Sequence, residues 1–356
     1  MRVAAAPTRR HDCDVLVIGG GTIGMSTAYA LTRTAPGTRV TVLDQQKRPA
    51  PAPPTTGVIH SGIHHRPGSP LARYTILGAT ELIKFCTEYD IPHAVTGKLI
   101  VATDRAELPR LHALVQRGRE NGIPVRELGA AQIPDHEPAV RGIAAIHVGT
   151  TGVCDVVGVT RQLADASGAE IRYGAQVVHI DRRPALGVTV HTADGTVLRA
   201  RALVNCAGPH GAEVARMAGD TPAVRTVSSR GEYYTLNRPD LLRGLVHPVP
   251  DPTSPLPGVH LTRGIDGTVH VGPHATRADL SSFTEAVRRL LPDVRAADLT
   301  PAGTARLRDG TPTDDFLLHE APHTVHVLNV PSPATTASLP MGRAVAWRVL
   351  GVLGSG

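Results

Sequence analysis

The segment Asp14-Val15-Leu16-Val17-Ile18-Gly19-Gly20-Gly21-Thr22-Ile23-Gly24 decides the fold. Residues 14–18 read as a short buried strand, because an apolar run of this length bounded by glycine suits a strand covered on both faces. Gly19, Gly21 and Gly24 then form a Gly-x-Gly-x-x-Gly turn, and Met25 to Thr32 has helical propensity. A second strand, Arg39-Val40-Thr41-Val42-Leu43, ends in Asp44, 20 residues beyond Gly24. That is the spacing of a dinucleotide site in which an acid reaches the ribose. Gly19 permits the tight turn, Gly21 lets backbone approach a pyrophosphate, and Gly24 lets helix pack closely on strand. The helix start at Thr22 and Ile23 turns its partial positive charge toward the diphosphate, and Asp44 accepts from a ribose hydroxyl.

The glycines do not choose between a nicotinamide and a flavin dinucleotide. Two features favour bound FAD. The turn lies close to the first residue, and a second apolar strand, Ala202 to Ala207, ends far downstream in Asn205-Cys206-Ala207-Gly208. No second Gly-rich loop is available for a separate nicotinamide cofactor.

Working outward, 356 residues suit two domains or one large interleaved fold. Hydrophobic residues make up 41%, enough for a sizeable core, and aromatics only 3%, so Val, Leu, Ala and Ile must fill it. The net charge of +6 comes from scattered arginines, with lysine only at 47, 84 and 98. No basic patch or tail is present, so nucleic acid is not an expected partner. The charge is compatible with weak attraction to anionic substrates or to a membrane surface. Cys13, Cys86, Cys154 and Cys206 show neither C-x-x-C nor zinc spacing, so free thiols in a reducing cytoplasm and no metal are expected. Residues 1–12 lack the apolar core of a signal peptide, and no apolar stretch is long enough to span a bilayer. Cytoplasmic localisation is the expectation.

Residues 48–56 form a Pro-rich loop. Helices are expected at 70–89, 105–121, 156–166 and 341–352. Strands are expected at 98–103, 169–181, 188–192, 197–199, 232–236, 258–263, 268–271 and 324–328, with Asp-Gly turns at 194–195 and 266–267.

Several further segments resemble one family. They include Gly57-Val58-Ile59-His60-Ser61-Gly62, Gly97-Lys98-Leu99-Ile100-Val101-Ala102-Thr103, Arg230-Gly231-Glu232-Tyr233-Tyr234, Gly258-Val259-His260-Leu261-Thr262-Arg263 and Asn329-Val330-Pro331-Ser332-Pro333-Ala334. Together they are similar to the FAD-dependent L-2-hydroxyglutarate oxidases and dehydrogenases of the wider glycine oxidase/D-amino-acid oxidase superfamily, over residues 13–345. The resemblance implies an α/β (α+β) fold, with a Rossmann-like FAD-binding domain and an interleaved antiparallel-sheet substrate domain. The corresponding partition is 1–90, 151–220 and 305–356 for FAD, and 91–150 and 221–304 for substrate. It implies FAD contacts at Thr56, Gly57, Val177, Ala207 and Gly208, and at Ser332, Pro333 and Ala334. Pro54-Thr55-Thr56 replaces the family's His-Asn-Ser, and the stretch between Pro273 and Pro301 is shorter than in bacterial members, as if a lid or membrane-docking segment were lost. The superfamily's substrate-binding Ala-Gly-x-Arg appears as Ala302-Gly303-Thr304-Ala305-Arg306, displaced by one, so Arg306 and Arg308 compete for the carboxylate.

The implied reaction is oxidation of an L-2-hydroxy acid to the 2-oxo acid by hydride transfer to flavin N5. A neutral histidine suits removal of the hydroxyl proton, and His60 and His260 are the candidates. A carboxylate suits a guanidinium fork, with Arg263, Arg306 and Arg230 as contenders and Tyr233 or Tyr234 as a donor. The electron acceptor is oxygen, a quinone or a carrier. An amino-acid or amine oxidase, a flavoprotein repurposed for a biosynthetic intermediate, and one that has lost turnover are the rivals. His64-His65 is not expected to be a metal pair, since adjacent strand residues point apart.

Overall fold

The computed structural model describes residues 11–47, 57–183, 186–221, 227–253, 258–275, 279–309, 315–329 and 331–354, with backbone alone at 227–230, 274–275 and 305–309. The chain opens with β1 (Cys13–Ile18), α1 (Thr22–Thr34), β2 (Val40–Asp44), β3 (Val58–Ile59), α2 (Pro70–Glu88), β4 (His93–Ala94) and β5 (Lys98–Ala102). It continues through α3 (Leu108–Glu120), β6 (Arg126–Gly129), α4 (Ile133–His136), β7 (Ala144–Val148), β8 (Gly152–Cys154), α5 (Val156–Ser167), β9 (Glu170–Tyr173), β10 (Val177–Arg183), β11 (Gly187–Thr192) and β12 (Val197–Asn205). Then come α6 (Gly211–Met217), β13 (Val227–Leu236), β14 (Leu245–Pro248), β15 (His260–Arg263), β16 (Val269–Ala275), α7 (Leu280–Arg288), β17 (Leu299–Asp309), β18 (Leu317–Ala321), β19 (Thr324–Asn329) and α8 (Ser338–Gly354).

β1 is central in the first sheet, parallel to both β2 and β12. Its unbroken apolar run follows from cover on both sides. Val15 and Val17 pack with Met25, Leu31, Met341 and Val345 of α1 and α8. Leu16 and Ile18 pack with Ile180, Val188 and Val190 of the β10–β11 hairpin. The path runs β10-β11-β12-β1-β2-β9, and β19 also pairs with β12 in parallel. The second sheet runs β17-β13-β16-β15-β14-β5-β7-β6, antiparallel except where β14 meets β5. One face of it packs on α7 through Phe283 and Val287. The small β3-β8-β4 sheet completes the strand pairing among the described residues. The fold is therefore mixed α/β, as the motifs implied.

One expected strand is divided. Residues 169–181 form β9 and β10 on opposite ends of the first sheet, not one strand. The end of β2 captures the chain between them: Gly174 N donates to Gln46 O (2.7 Å) and Ala175 N to Asp44 O (2.9 Å). The Pro-rich segment 48–56 lies outside the described residues.

Candidate active site

The turn between β1 and α1 is a cradle built by close approach. Gly19 has φ +105°, and a Cβ there would sit 2.3 Å from Cys206 O. A Cβ at Gly24 would sit 1.9 Å from Gly19 O, so the helix can reach the turn only without one. Asp44 Oδ2 accepts from Gly20 N (2.6 Å), and its Oδ1 from Gln46 N (2.7 Å). The acid therefore braces the turn and stays partly exposed at the tip of β2. The residues fit a flavin dinucleotide. Gly21 is exposed and meets nothing within 4 Å, Gly208 likewise faces open space, and no side chain caps α1. Uncapped helix N–H groups facing open space are what a diphosphate needs.

Ala207 and Gly208 lie beside the turn, fixed by Asn205. Its Oδ1 accepts from Ala207 N (3.1 Å), and its Nδ2 donates to Gly211 O (2.7 Å) and His326 Nδ1 (3.0 Å). His326 Nε2 in turn donates to Asp220 (2.9 Å), which also takes Arg182 at 2.8 Å. Asn205 and His326 are fully buried, and burial holds the imidazole below its ordinary pKa despite Asp220. The chain Arg182–Asp220–His326–Asn205 thus locks one wall of the cradle.

Gly57 packs on Cys154 O, where its own Cβ would approach to 2.4 Å. Val177 opens β10 and is buried. Ser332, Pro333 and Ala334 occupy the turn between β19 and α8, where Pro333 O accepts from Ala337 N. Two residues beyond that expected contact, Thr336 Oγ1 accepts from His60 N (3.1 Å) and donates to Val58 O (3.2 Å). One hydroxyl therefore ties the C-terminal turn to the segment carrying His60. Thr56 lies outside the described residues.

The second sheet presents the other groups. Leu245 pairs with Lys98 and Thr262, so the next same-face residues, His247 and His260, stand side by side. Their rings stack at 3.6 Å with a 9° interplanar angle. His260 pairs with Gly272, where an added Cβ would be 2.9 Å from Tyr233 Cδ1. Lys98, His247, His260 and Tyr233 therefore share one face. From the opposite side, Lys98 Nζ donates to His64 Nε2 (3.3 Å). His60, His64 and His260 are partly exposed, whereas Lys98 is 1% and His247 3% exposed. Burial and the Lys98 charge hold His60, His64 and His247 well below the ordinary histidine pKa. Burial alone moves Lys98 down to about 8 and raises Tyr233, which stays a neutral phenol donor.

The expected base candidates, His60 and His260, are thus brought together with Tyr233. Arg263 is not with them: its Nη1 donates to Pro239 O and Leu242 O (3.0 Å). Alternation sends it to the opposite face from His260. Arg230 and Arg306 are register partners across β13 and β17, and their side chains, like that of Arg308, lie outside the described ones. Sequence reading did not assign Lys98, His64 or His247. Lysine at the head of an otherwise apolar strand, in a chain with two other lysines, was the available signal for Lys98. Nothing local marks His247. The four cysteines are free and buried. Among the described residues no cluster of His, Cys, Asp and Glu could hold a metal, and no helix is long and apolar enough to cross a membrane.

The comparisons with known proteins follow this geometry. The family profile described as "DAO: FAD dependent oxidoreductase" matches residues 14–348. The chain is 32% identical to the L-2-hydroxyglutarate dehydrogenase of Indibacter alkaliphilus, covering 94% of this chain and 98% of that protein. It is 32% identical to the Escherichia coli K12 protein of the same name, covering 96% and 94%. Among solved structures it resembles L-alpha-glycerophosphate oxidase from Mycoplasma pneumoniae with FAD bound (TM-score 0.82, 24% identity, 96% and 94% covered). It also resembles glycine oxidase from Geobacillus kaustophilus (TM-score 0.77, 19% identity, 97% and 95% covered). With the glycine cradle, the family match and these relatives in agreement, the chain belongs to the FAD dependent oxidoreductase family and is an FAD-dependent oxidoreductase.

Proposed function

We propose that this chain oxidises the CH–OH of an L-2-hydroxy acid, of the L-2-hydroxyglutarate type, to the 2-oxo acid. The observation that carries this is the convergence of His60 and His260, 200 residues apart in sequence, with Tyr233 on the same sheet face as His260. FAD, when bound in the cradle, supplies acceptance of the hydride that leaves the substrate Cα. A neutral ring nitrogen of His60 takes the hydroxyl proton, since at pH 7 this imidazole is uncharged. Tyr233 donates from its phenol to a substrate oxygen, and the stacked His247 fixes the plane of His260. Arg230 and Arg306 are further carboxylate ligands in this reading. The FAD-binding segments are 1–90, 151–220 and 305–356, and the substrate segments 91–150 and 221–304. The first sheet draws its strands from the former set, and the second sheet almost wholly from the latter.

Anaerobic mixing of the purified flavoprotein with L- and D-2-hydroxy acids and amino acids tests this. Bleaching of the visible flavin band by L-2-hydroxyglutarate, with 2-oxo acid and no ammonia, is expected. Ammonia release from an amino acid, with no bleaching by any hydroxy acid, refutes it in favour of an amine oxidase. Reoxidation by air, a quinone or a carrier flavoprotein then identifies the acceptor, and the subcellular fraction holding the activity tests cytoplasmic localisation.

A further inference from the structure

We propose that Lys98, flanked by His64 and the His247–His260 stack, is the anion anchor of the substrate crevice and holds a carboxylate of the substrate. This rests on the reading that the crevice takes a hydroxy acid, and it assigns the charge that recognises it. Three observations converge. First, Lys98 is 1% exposed, and its partner among the described residues is an imidazole, His64, not a carboxylate. An ammonium ion out of water costs several kcal/mol unless an opposite charge meets it. Second, both ring nitrogens of His247 are buried without a hydrogen-bond partner among the described residues, on the same sheet face. Buried polar atoms are normally satisfied, so an unsatisfied pair beside an uncompensated cation marks a place where a ligand supplies oxygens. Third, among the described residues the titratable groups around Lys98 are His60, His64 and His65 on the loop after β3, His247 on β14 and His260 on β15, with Arg117 holding His64 O at 3.1 Å. These groups are cationic or neutral, so the surroundings favour an anion. The described arginine expected for this task, Arg263, is committed to backbone carbonyls elsewhere.

Binding then has a pH signature. His60, His64, His65 and His247 are pushed down, to about 4 for His65, and are neutral above pH 7, while Tyr233 is pushed up. Lys98, at about 8, is the group that changes charge in between. Carboxylate affinity is full below pH 8 and falls as pH rises, by about tenfold per unit at the limit.

The test uses the FAD-loaded protein with glutarate, which lacks the hydroxyl and cannot be oxidised. Binding is read from the perturbation of the flavin spectrum, and KM for L-2-hydroxyglutarate and L-2-hydroxybutyrate is measured alongside. Lys98→Met is expected to weaken glutarate binding and raise KM by about tenfold or more. Lys98→Arg is expected to restore binding and abolish the alkaline decline. A penalty for both substrates places the carboxylate beside the reacting carbon; a penalty for the dicarboxylate alone places the distal one there. Either supports the anchor. Glutarate affinity within twofold of wild type in Lys98→Met, or an alkaline decline unchanged in Lys98→Arg, overturns it. If wild type binds glutarate through Lys98 but oxidises no hydroxy acid, the anchor stands and the proposed reaction fails.

Discussion

Lys98→Met should stabilise the substrate-free protein while damaging its function. In the fold the ammonium pKa drops from 10.5 to about 8 by burial alone. At 1.36 kcal/mol per unit the shift corresponds to about 3 kcal/mol against the charged folded state. Losing the Lys98–His64 hydrogen bond returns about 1 kcal/mol, leaving a net gain of about 2 kcal/mol. The sign follows from proton linkage. The folded group has the lower pKa, so the penalty is full below pH 8 and vanishes as pH rises through 10.5, where both states hold neutral lysine. Methionine suits the site because the same sheet face continues into buried Ile100 and Ile146. Urea denaturation of FAD-loaded, substrate-free protein at pH 7 and pH 10 reads the effect. A higher midpoint for the variant at pH 7, shrinking at pH 10, is expected. Equal or lower stability at pH 7, or a gain indifferent to pH, would refute the reasoning. A residue kept at such a cost is explained by what it binds.

Gly24→Ala should purify without flavin, because its Cβ would lie 1.9 Å from Gly19 O. An FAD-to-protein ratio above half, from absorbance, contradicts this. Asp220→Ala should cost about 3–5 kcal/mol by leaving the part-buried Arg182 guanidinium unpaired and the buried, neutral His326 Nε2–H without an acceptor; thermal and chemical denaturation measure it, and a loss under 1 kcal/mol counts against the network. Thr336→Val strips the shared partner of His60 N and Val58 O. It should lower stability by about 1–3 kcal/mol and kcat more than KM, and steady-state kinetics showing only a KM effect would argue against positioning of His60. Acid should destabilise the fold from about pH 6.5 downward, since the unfolded chain protonates histidines that the fold keeps neutral. His65→Gln should flatten that slope in melts between pH 4 and 6.5.

The dinucleotide half of the site was legible because its determinants are local. Gly19, Gly24 and Asp44 act through a turn, a helix start and a strand end within about one βαβ unit. The proposed catalytic face was only partly legible. His60 and His260 stand out no more in the sequence than sixteen other histidines. The break at Gly174 was invisible because the partners of that backbone, Asp44 and Gln46, lie far back in the chain.

By itself the sequence determined that the first βαβ unit has the form of a dinucleotide cradle, since backbone close approach there admits only glycine. The tertiary structure alone decided which polar groups share one sheet face. Strand register sets lateral neighbours across β5, β14 and β15, and it turned Arg263 away while stacking His247 on His260 and sealing Lys98 from water. Burial of a charge depends on everything packed around it, and no window of sequence contains that.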